Sequence, residues 1–460
     1  MYKKKSTLGF YGGVGDVTGA NFLLDTGDFA MLIDCGLVQG NMADVYNINA
    51  ADFVYNPADI DVLFVTHAHA DHIGRIPKLM RDGFRGVIYS TPPTKDLAAL
   101  MLMDALHIME MEAVKLNRDS IYDNNDVQRA LAVWKTLDFN KTVNFNKDIT
   151  VQLLNSGHIL GSAMIEVERN GRRIIFTGDI GNVPQPLLSS PTIPSNNIDY
   201  ILMESVYGDR VHEDVSERSS LLKFYIEDTV RQNGTLLIPA FSLERTQGIL
   251  LEINNLVENK MIPPIKTFLD SPLAIKVTGI YAKYAKYMKK SVFDQIKAGD
   301  DIFMFEGMSF TETVKESSQI ERTKGPKIII AGAGMSHGGR IRTHEKKLLK
   351  EPTTTLLMVG YQSVGSLGRR LQDGAKFVWI DGEKIEIKAK IETIRGFSGH
   401  ADRNQLLDFV GKISEKHKPE RVFVTMGEEK SSLFLAQRIY DYLDIKSVVP
   451  MKNDEIEIDF

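Results

Sequence analysis

The segment DVLFVTHAHADHIGR constrains this chain more than any other. Asp61 to Val65 reads as a buried strand, and the six positions from His67 to His72 hold three imidazoles and a carboxylate: His67, His69, Asp71 and His72. In an extended loop, side chains two apart share a face, so His67 and His69 point to the same side. Asp71 and His72 then turn toward a second position. Imidazole suits zinc, iron and manganese, whereas carboxylate suits hard cations and can bridge. The loop therefore offers ligands to two metals. A single loop cannot close two sites, so the remaining ligands must come from other strand ends. His158 in LNSGHILGS and Asp179 in IIFTGDIG each follow an apolar strand. Asp34 in LIDCG is a further strand-end carboxylate, suited to accept from a ligand histidine and orient it.

The surrounding text reads as two textures. The first two hundred residues are short strands separated by glycine turns, with hairpin signals at Thr26-Gly27-Asp28 and Asn170-Gly171. The stretch from Thr94 to about Lys135 is helical in pattern. From about residue 206, strands alternate with helices: TLLIPAF with LERTQGILLEINNLVE, KTFLDS with PLAIKVTGIYAKYAKYM, KIIIAGAG with THEKKLLK, TTTLLMVG with SLGRRLQDG. That alternation predicts parallel βαβ units. Domain boundaries are expected at 1–205, 206–388 and 389–460, the outer two forming one domain.

A length of 460 residues exceeds one typical core, and 43% hydrophobic with 25% charged residues is globular. No run of about 18 uncharged apolar residues is present, which argues against a membrane span. The single cysteine, Cys35, excludes an internal disulfide and fits a reducing cytoplasmic setting. A net charge of −5 gives no global signature of nucleic-acid binding, so such a partner needs a local surface.

HAHADH, SGH and TGD, preceded by LIDCG, resemble the motifs of the metallo-β-lactamase superfamily in order and spacing. ILMESVYGDR and GFSGHADR, with PAFSLERTQ, DSPLA, GAGMSHGGR and GYQSVGSLGRRL between them, extend the resemblance to the β-CASP nucleases. They look closer to bacterial and archaeal relatives of the pre-mRNA 3′-end cleavage endonuclease than to RNase J. The resemblance implies an α/β protein: a metallo-β-lactamase αββα sandwich with an inserted α/β β-CASP domain roofing the site. It implies that His67, His69 and His158 hold one metal, that Asp71 and His72 hold another, and that Asp179 bridges them. The cofactor is then Zn2+ at two sites, with Mn2+ as the alternative. The implied substrate is single-stranded RNA, and homodimerisation is compatible with the family.

On this reading Asp71, Glu204 and His400 belong to the catalytic group. Phosphodiester hydrolysis needs a nucleophile, charge neutralisation and a protonated leaving group. Two metals about 3.5–4 Å apart supply hydroxide and clamp the phosphate. His400 acts as general acid, with Glu204 holding it and favouring its charged form. Ser336, His337, Arg340 and Arg369 are candidate phosphate contacts, as are Arg245 and Arg370, and the glycine-rich loop at 332–340 offers amides. His107 reads as a helix-packing residue, and His212 as a supporting residue near Glu204.

The family usually ends with a strand, a histidine and Gly-Glu, and that histidine completes the second metal. Here RVFVTMGEE places Met426 at the position, and a thioether is a poor ligand for zinc or manganese. Three outcomes are open: water fills the gap, Glu428 reaches in, or the second site is weak and one metal remains. The alternative function is an RNA-binding relative with weak or no catalysis. Val364 also stands where relatives often carry glutamate.

Overall fold

The computed structural model describes residues 5–40, 44–146, 148–212, 217–360, 362–363 and 365–460. Val364 therefore lies outside the described residues. The chain forms two compact units. One comprises residues 1–183, 190–211 and 400–460, the other residues 184–189 and 212–399.

Two seven-stranded sheets make the first unit. The first runs from edge to edge as Asp454–Ile458, Ser6–Gly12, Asn21–Asp25, Ala30–Ile33, Val62–Phe64, Val87–Ser90 and Trp134–Thr136. Its pairing is antiparallel up to Ala30–Ile33 and parallel beyond. The second runs Ser447–Val448, Arg421–Val424, Tyr200–Met203, Arg172–Phe176, Ala163–Arg169, Ile149–Asn155 and Thr142–Phe145. Here the first four strands are parallel and the rest antiparallel.

Alternation explains the packing. Ile149, Val151 and Leu153 share one face of their strand and are buried. They meet Phe10, Phe22 and Phe64 from the other sheet in one apolar core, the favourable term that holds the layers together. Phe409 and Val410 of helix Arg403–Ser414, with Leu435 and Ile439 of helix Glu429–Leu443, cover the outer face of the second sheet at Ile175, Ile201 and Val422. Helix Pro92–Leu116 buries Leu97, Leu102 and Leu106 and packs beside strand Trp134–Thr136 of the first sheet. The result is the αββα layering expected from sequence.

The hairpin at Asn170-Gly171 forms as expected, with φ values of 52° and 83° that suit a two-residue turn of the hairpin class. The predicted helix over 94–135 is instead two. Asn117 in the left-handed region ends the first helix, and an Asp123–Asp126 capping box starts the second at Asn124. The segment then turns into strand Trp134–Thr136.

The second unit holds a six-stranded sheet in the order Met308–Phe310, Lys266–Asp270, Lys327–Ala331, Thr235–Pro239, Thr354–Met358, Lys390–Thr393. All its pairings are parallel. Strands Thr235–Pro239, Lys327–Ala331 and Thr354–Met358 are buried throughout, as a sheet covered on both faces requires. Among the described residues, no helix is long and apolar enough to cross a membrane.

Candidate metal centre

The ligand candidates all sit at the carboxyl ends of strands in the first unit. Asp34 follows Ala30–Ile33, and the HAHADH loop follows Val62–Phe64. His158 follows Ile149–Asn155, Asp179 follows Arg172–Phe176, and Glu204 follows Tyr200–Met203. After His69 the loop tightens into a helical turn, Ala70–Ile73, which swings Asp71 and His72 away from the extended pair. Two glycines make the close approaches possible. A Cβ on Gly36 would lie 1.6 Å from the carbonyl oxygen of Asp71, and one on Gly181 would lie 2.0 Å from that of Gly157.

Four ligand atoms converge. Nε2 of His67 and Nε2 of His158 lie 3.0 and 3.2 Å from Nδ1 of His69. Both Nε2 atoms lie 3.4 Å from Oδ2 of Asp179. Donors about 2.0–2.2 Å from a tetrahedral ion stand about 3.3–3.6 Å apart, and the 3.0–3.4 Å separations here come close to the zinc end of that range. Burial, followed by the neighbouring imidazoles, holds His69 and His158 well below the usual histidine value, and lowers His67 in the same way. Neutral imidazole is the form that ligates.

His72 and Asp71 lie to the other side of Asp179. Nε2 of His72 is 3.5 Å from Oδ1 of Asp179 and 4.0 Å from Oδ2 of Asp71. Both Nε2 of His72 and Oδ1 of Asp179 are buried without an aligned hydrogen-bond partner among the described residues. Nδ1 of His72 faces Oδ2 of Asp34 at 2.7 Å. Asp34 also accepts from the Thr66 amide at 2.8 Å and the Thr66 hydroxyl at 2.7 Å. Burial works against a charged His72, but Asp179 and Asp34 outweigh it and raise it well above its ordinary value.

Next to these groups, Nδ1 of His400 lies 3.3 Å from Oε2 of Glu204 and 3.8 Å from Oδ2 of Asp179. A backbone bridge between Gly181 and His400 anchors the loop. Glu204 is fixed from behind, accepting from the Ile180 amide at 2.6 Å. Burial opposes protonation of His400, yet the carboxylates of Glu204 and Asp179 push it up to about 9. Burial raises the carboxyl of Glu204 against the pull of His400.

Sequence reasoning also pointed to groups that the structure places in the second unit. Ser336 is fully buried and donates to Glu345. Arg340 donates to Asp270 at 2.6 Å and to the carbonyls of Thr311 and Glu312. Arg369 pairs with Asp373 one helical turn away. Only His337 of the four is solvent-exposed. Two amides of the glycine-rich loop are already bonded within it, Ala333 to Gly338 and Ser336 to Ala333. His107 does not pack against the helix neighbours expected of it and is exposed. Glu428 is exposed as well, on the turn before helix Glu429–Leu443. Asp270 was missed: it is fully buried and accepts from His344, Ser317, Thr311 and Arg340. Only its place at the end of an apolar strand, in DSPLA, hinted at it.

A strand-end cluster of imidazoles and carboxylates on an αββα sandwich defines a metal-dependent hydrolase. Residues 23–202 match the metallo-beta-lactamase superfamily domain, residues 246–371 the Beta-Casp domain, and residues 384–450 the Zn-dependent metallo-hydrolase RNA specificity domain. The chain belongs to the β-CASP nuclease family of the metallo-β-lactamase superfamily. It is 34% identical to Ribonuclease TTHA0252 of Thermus thermophilus, over 93% of this chain and 94% of that one. It is 30% identical to the transcription termination factor FttA of Methanosarcina mazei, over 95% of this chain and 69% of that one. An RNase J-like protein of Methanocaldococcus jannaschii is 31% identical over 98% of this chain and 99% of its own, so overall identity does not repeat the contrast with RNase J drawn from the motifs. A solved structure of a protein of unknown function from Enterococcus faecalis shares the fold, with a TM-score of 0.60 at 11% identity, covering 99% of this chain and 100% of that one.

Proposed function

We propose that this metallo-hydrolase cleaves phosphodiester bonds of single-stranded RNA, with His67, His69, His158 and Asp179 holding one ion and Asp71, His72 and Asp179 a second. The observation that carries the reading is the convergence of four ligand atoms beside the pair formed by buried Glu204 and half-buried His400. The ions would supply activated water and neutralise phosphate charge, and Zn2+ or Mn2+ suits the donors. His400, protonated and held by Glu204, gives its proton to the leaving oxygen. Glu204 keeps Nδ1 engaged, which fixes the ring and sends the other nitrogen toward substrate. Asp71 orients the attacking water from the side of His72. On the second unit, His337 and Arg369 are the side chains left to meet RNA, while Ser336 and Arg340 act by shaping their loop. Met426, buried among apolar side chains, favours a second reading in which RNA is bound and hydrolysed poorly.

The test is cleavage of end-labelled single-stranded RNA by purified protein, before and after chelation and after Zn2+ or Mn2+ is restored. Chelation should abolish cleavage and either ion should restore it. RNA retained without cleavage under every metal condition selects the second reading.

A further inference from the structure

The two ion positions do not have equal protein support. The first draws on three imidazoles and on Oδ2 of Asp179, all within 4.8 Å of one another. The second is faced by one imidazole, His72, by Asp71, and by the remaining oxygen of the already shared Asp179. Two of these atoms, Nε2 of His72 and Oδ1 of Asp179, are buried, face each other at 3.5 Å and make no aligned hydrogen bond, a spacing open to a shared cation. Met426 lies on the inner side of His72. Met426 and His72 line the same small cavity of about 10 Å³, together with Thr66, Thr177 and Gly178. The Met426 sulfur is turned toward Gly13 and packs in the apolar core, where it can supply no hard donor.

The backbone supports the same conclusion. Met426 has φ of 47°, a left-handed conformation in which Asn, Asp and His are enriched and long apolar side chains are uncommon. It is held there by its amide donating to Gly13 at 2.7 Å and its carbonyl accepting from Ser205. The conformation suits a polar side chain at this strand end, and the residue present is not one.

We infer that the two ions are held unequally: the first is resident, and the second is exchangeable because it has one imidazole and Met426, beside His72, adds no ligand. The nuclease is then switched by the free concentration of the second ion. This rests on the metal-dependent reading proposed above. The test is titration of chelator-stripped full-length protein with Zn2+ against a chromophoric competitor, with Co2+ absorption as a second readout. One equivalent should bind tightly and a second at least about tenfold more weakly, the scale on which a lost supporting group alters metal affinity. Met426→His should narrow that gap by about tenfold or more. Met426→Leu, which keeps the volume and removes the sulfur, should leave both affinities unchanged. Two equivalents of equal affinity in the wild type, or loss of the second ion in Met426→Leu, would overturn the inference while leaving the metal-dependent reading intact. Absence of any tight ion would overturn both.

Discussion

Asp34 and His72 are joined by a 2.7 Å contact between Oδ2 and Nδ1, and this contact decides which nitrogen of His72 faces Asp179. A ligand histidine whose other nitrogen is held by a carboxylate has its tautomer and ring orientation fixed. Asp34→Asn keeps the amide contact from Thr66, and asparagine tolerates the φ of 59° at this position. It should weaken the ion held by His72 by about 10–100-fold without unfolding the protein. Metal content after dialysis against a buffered chelator measures this, and unchanged retention would remove Asp34 from the site.

On the proposed reading, His158 is the one ligand of the first ion that comes from the second sheet as an imidazole. His158→Ala should abolish tight metal binding and reduce RNA cleavage to background. Equilibrium dialysis with elemental analysis checks the first outcome and gel electrophoresis of labelled RNA the second. Full metal content in the variant would show that His67, His69 and Asp179 suffice.

His400 separates chemistry from metal binding. His400→Ala should keep its metal and lose about 10²–10⁴-fold in cleavage rate, the usual worth of a positioned acid. A phosphodiester with a nitrophenolate leaving group needs no proton on departure. Its hydrolysis should fall much less. Equal loss on both substrates would assign His400 to a structural role.

Burial pushes Glu345 up to about 8 from its ordinary 4.5, with the Ser336 hydroxyl acting against the shift. The folded chain therefore holds a proton that the unfolded chain releases above about pH 4.5. Stability contributed by the neutral carboxyl is complete below that pH and is lost as pH rises toward 8. Glu345→Gln removes the penalty, so its Tm should exceed wild type by a few degrees at pH 8 and converge with it near pH 5. A pH-independent difference would contradict the assignment.

Arg340 serves the second unit through Asp270. Arg340→Ala leaves a fully buried carboxylate with His344, Ser317 and Thr311 as its remaining donors. It should lower stability by about 1–3 kcal/mol. Denaturant unfolding measures this. An unchanged midpoint together with weakened RNA retention would return Arg340 to the substrate-contact role.

The cluster was legible because it gathers rare residue types in fixed registers at strand ends. His67, His69, His158 and Asp179 could be named from such registers, and the alternation of strands and helices after residue 206 marked the parallel sheet. What escaped depended on distant partners. Strand Asp454–Ile458 joins the first sheet beside Ser6–Gly12, a pairing no local pattern encodes. The inward turn of Ser336 and Arg340 is set by Glu345 and Asp270, which lie 9 and 70 positions away. A polar residue in a glycine-rich loop looks the same in sequence whether it faces solvent or a buried carboxylate.

The most direct measurement is RNA cleavage as a function of bound metal. Protein stripped by chelator should leave single-stranded RNA intact, and stepwise return of Zn2+ or Mn2+ should restore cleavage as the sites fill. Cleavage persisting at full rate in protein shown to be metal-free, or cleavage absent with both ions bound, would contradict the account.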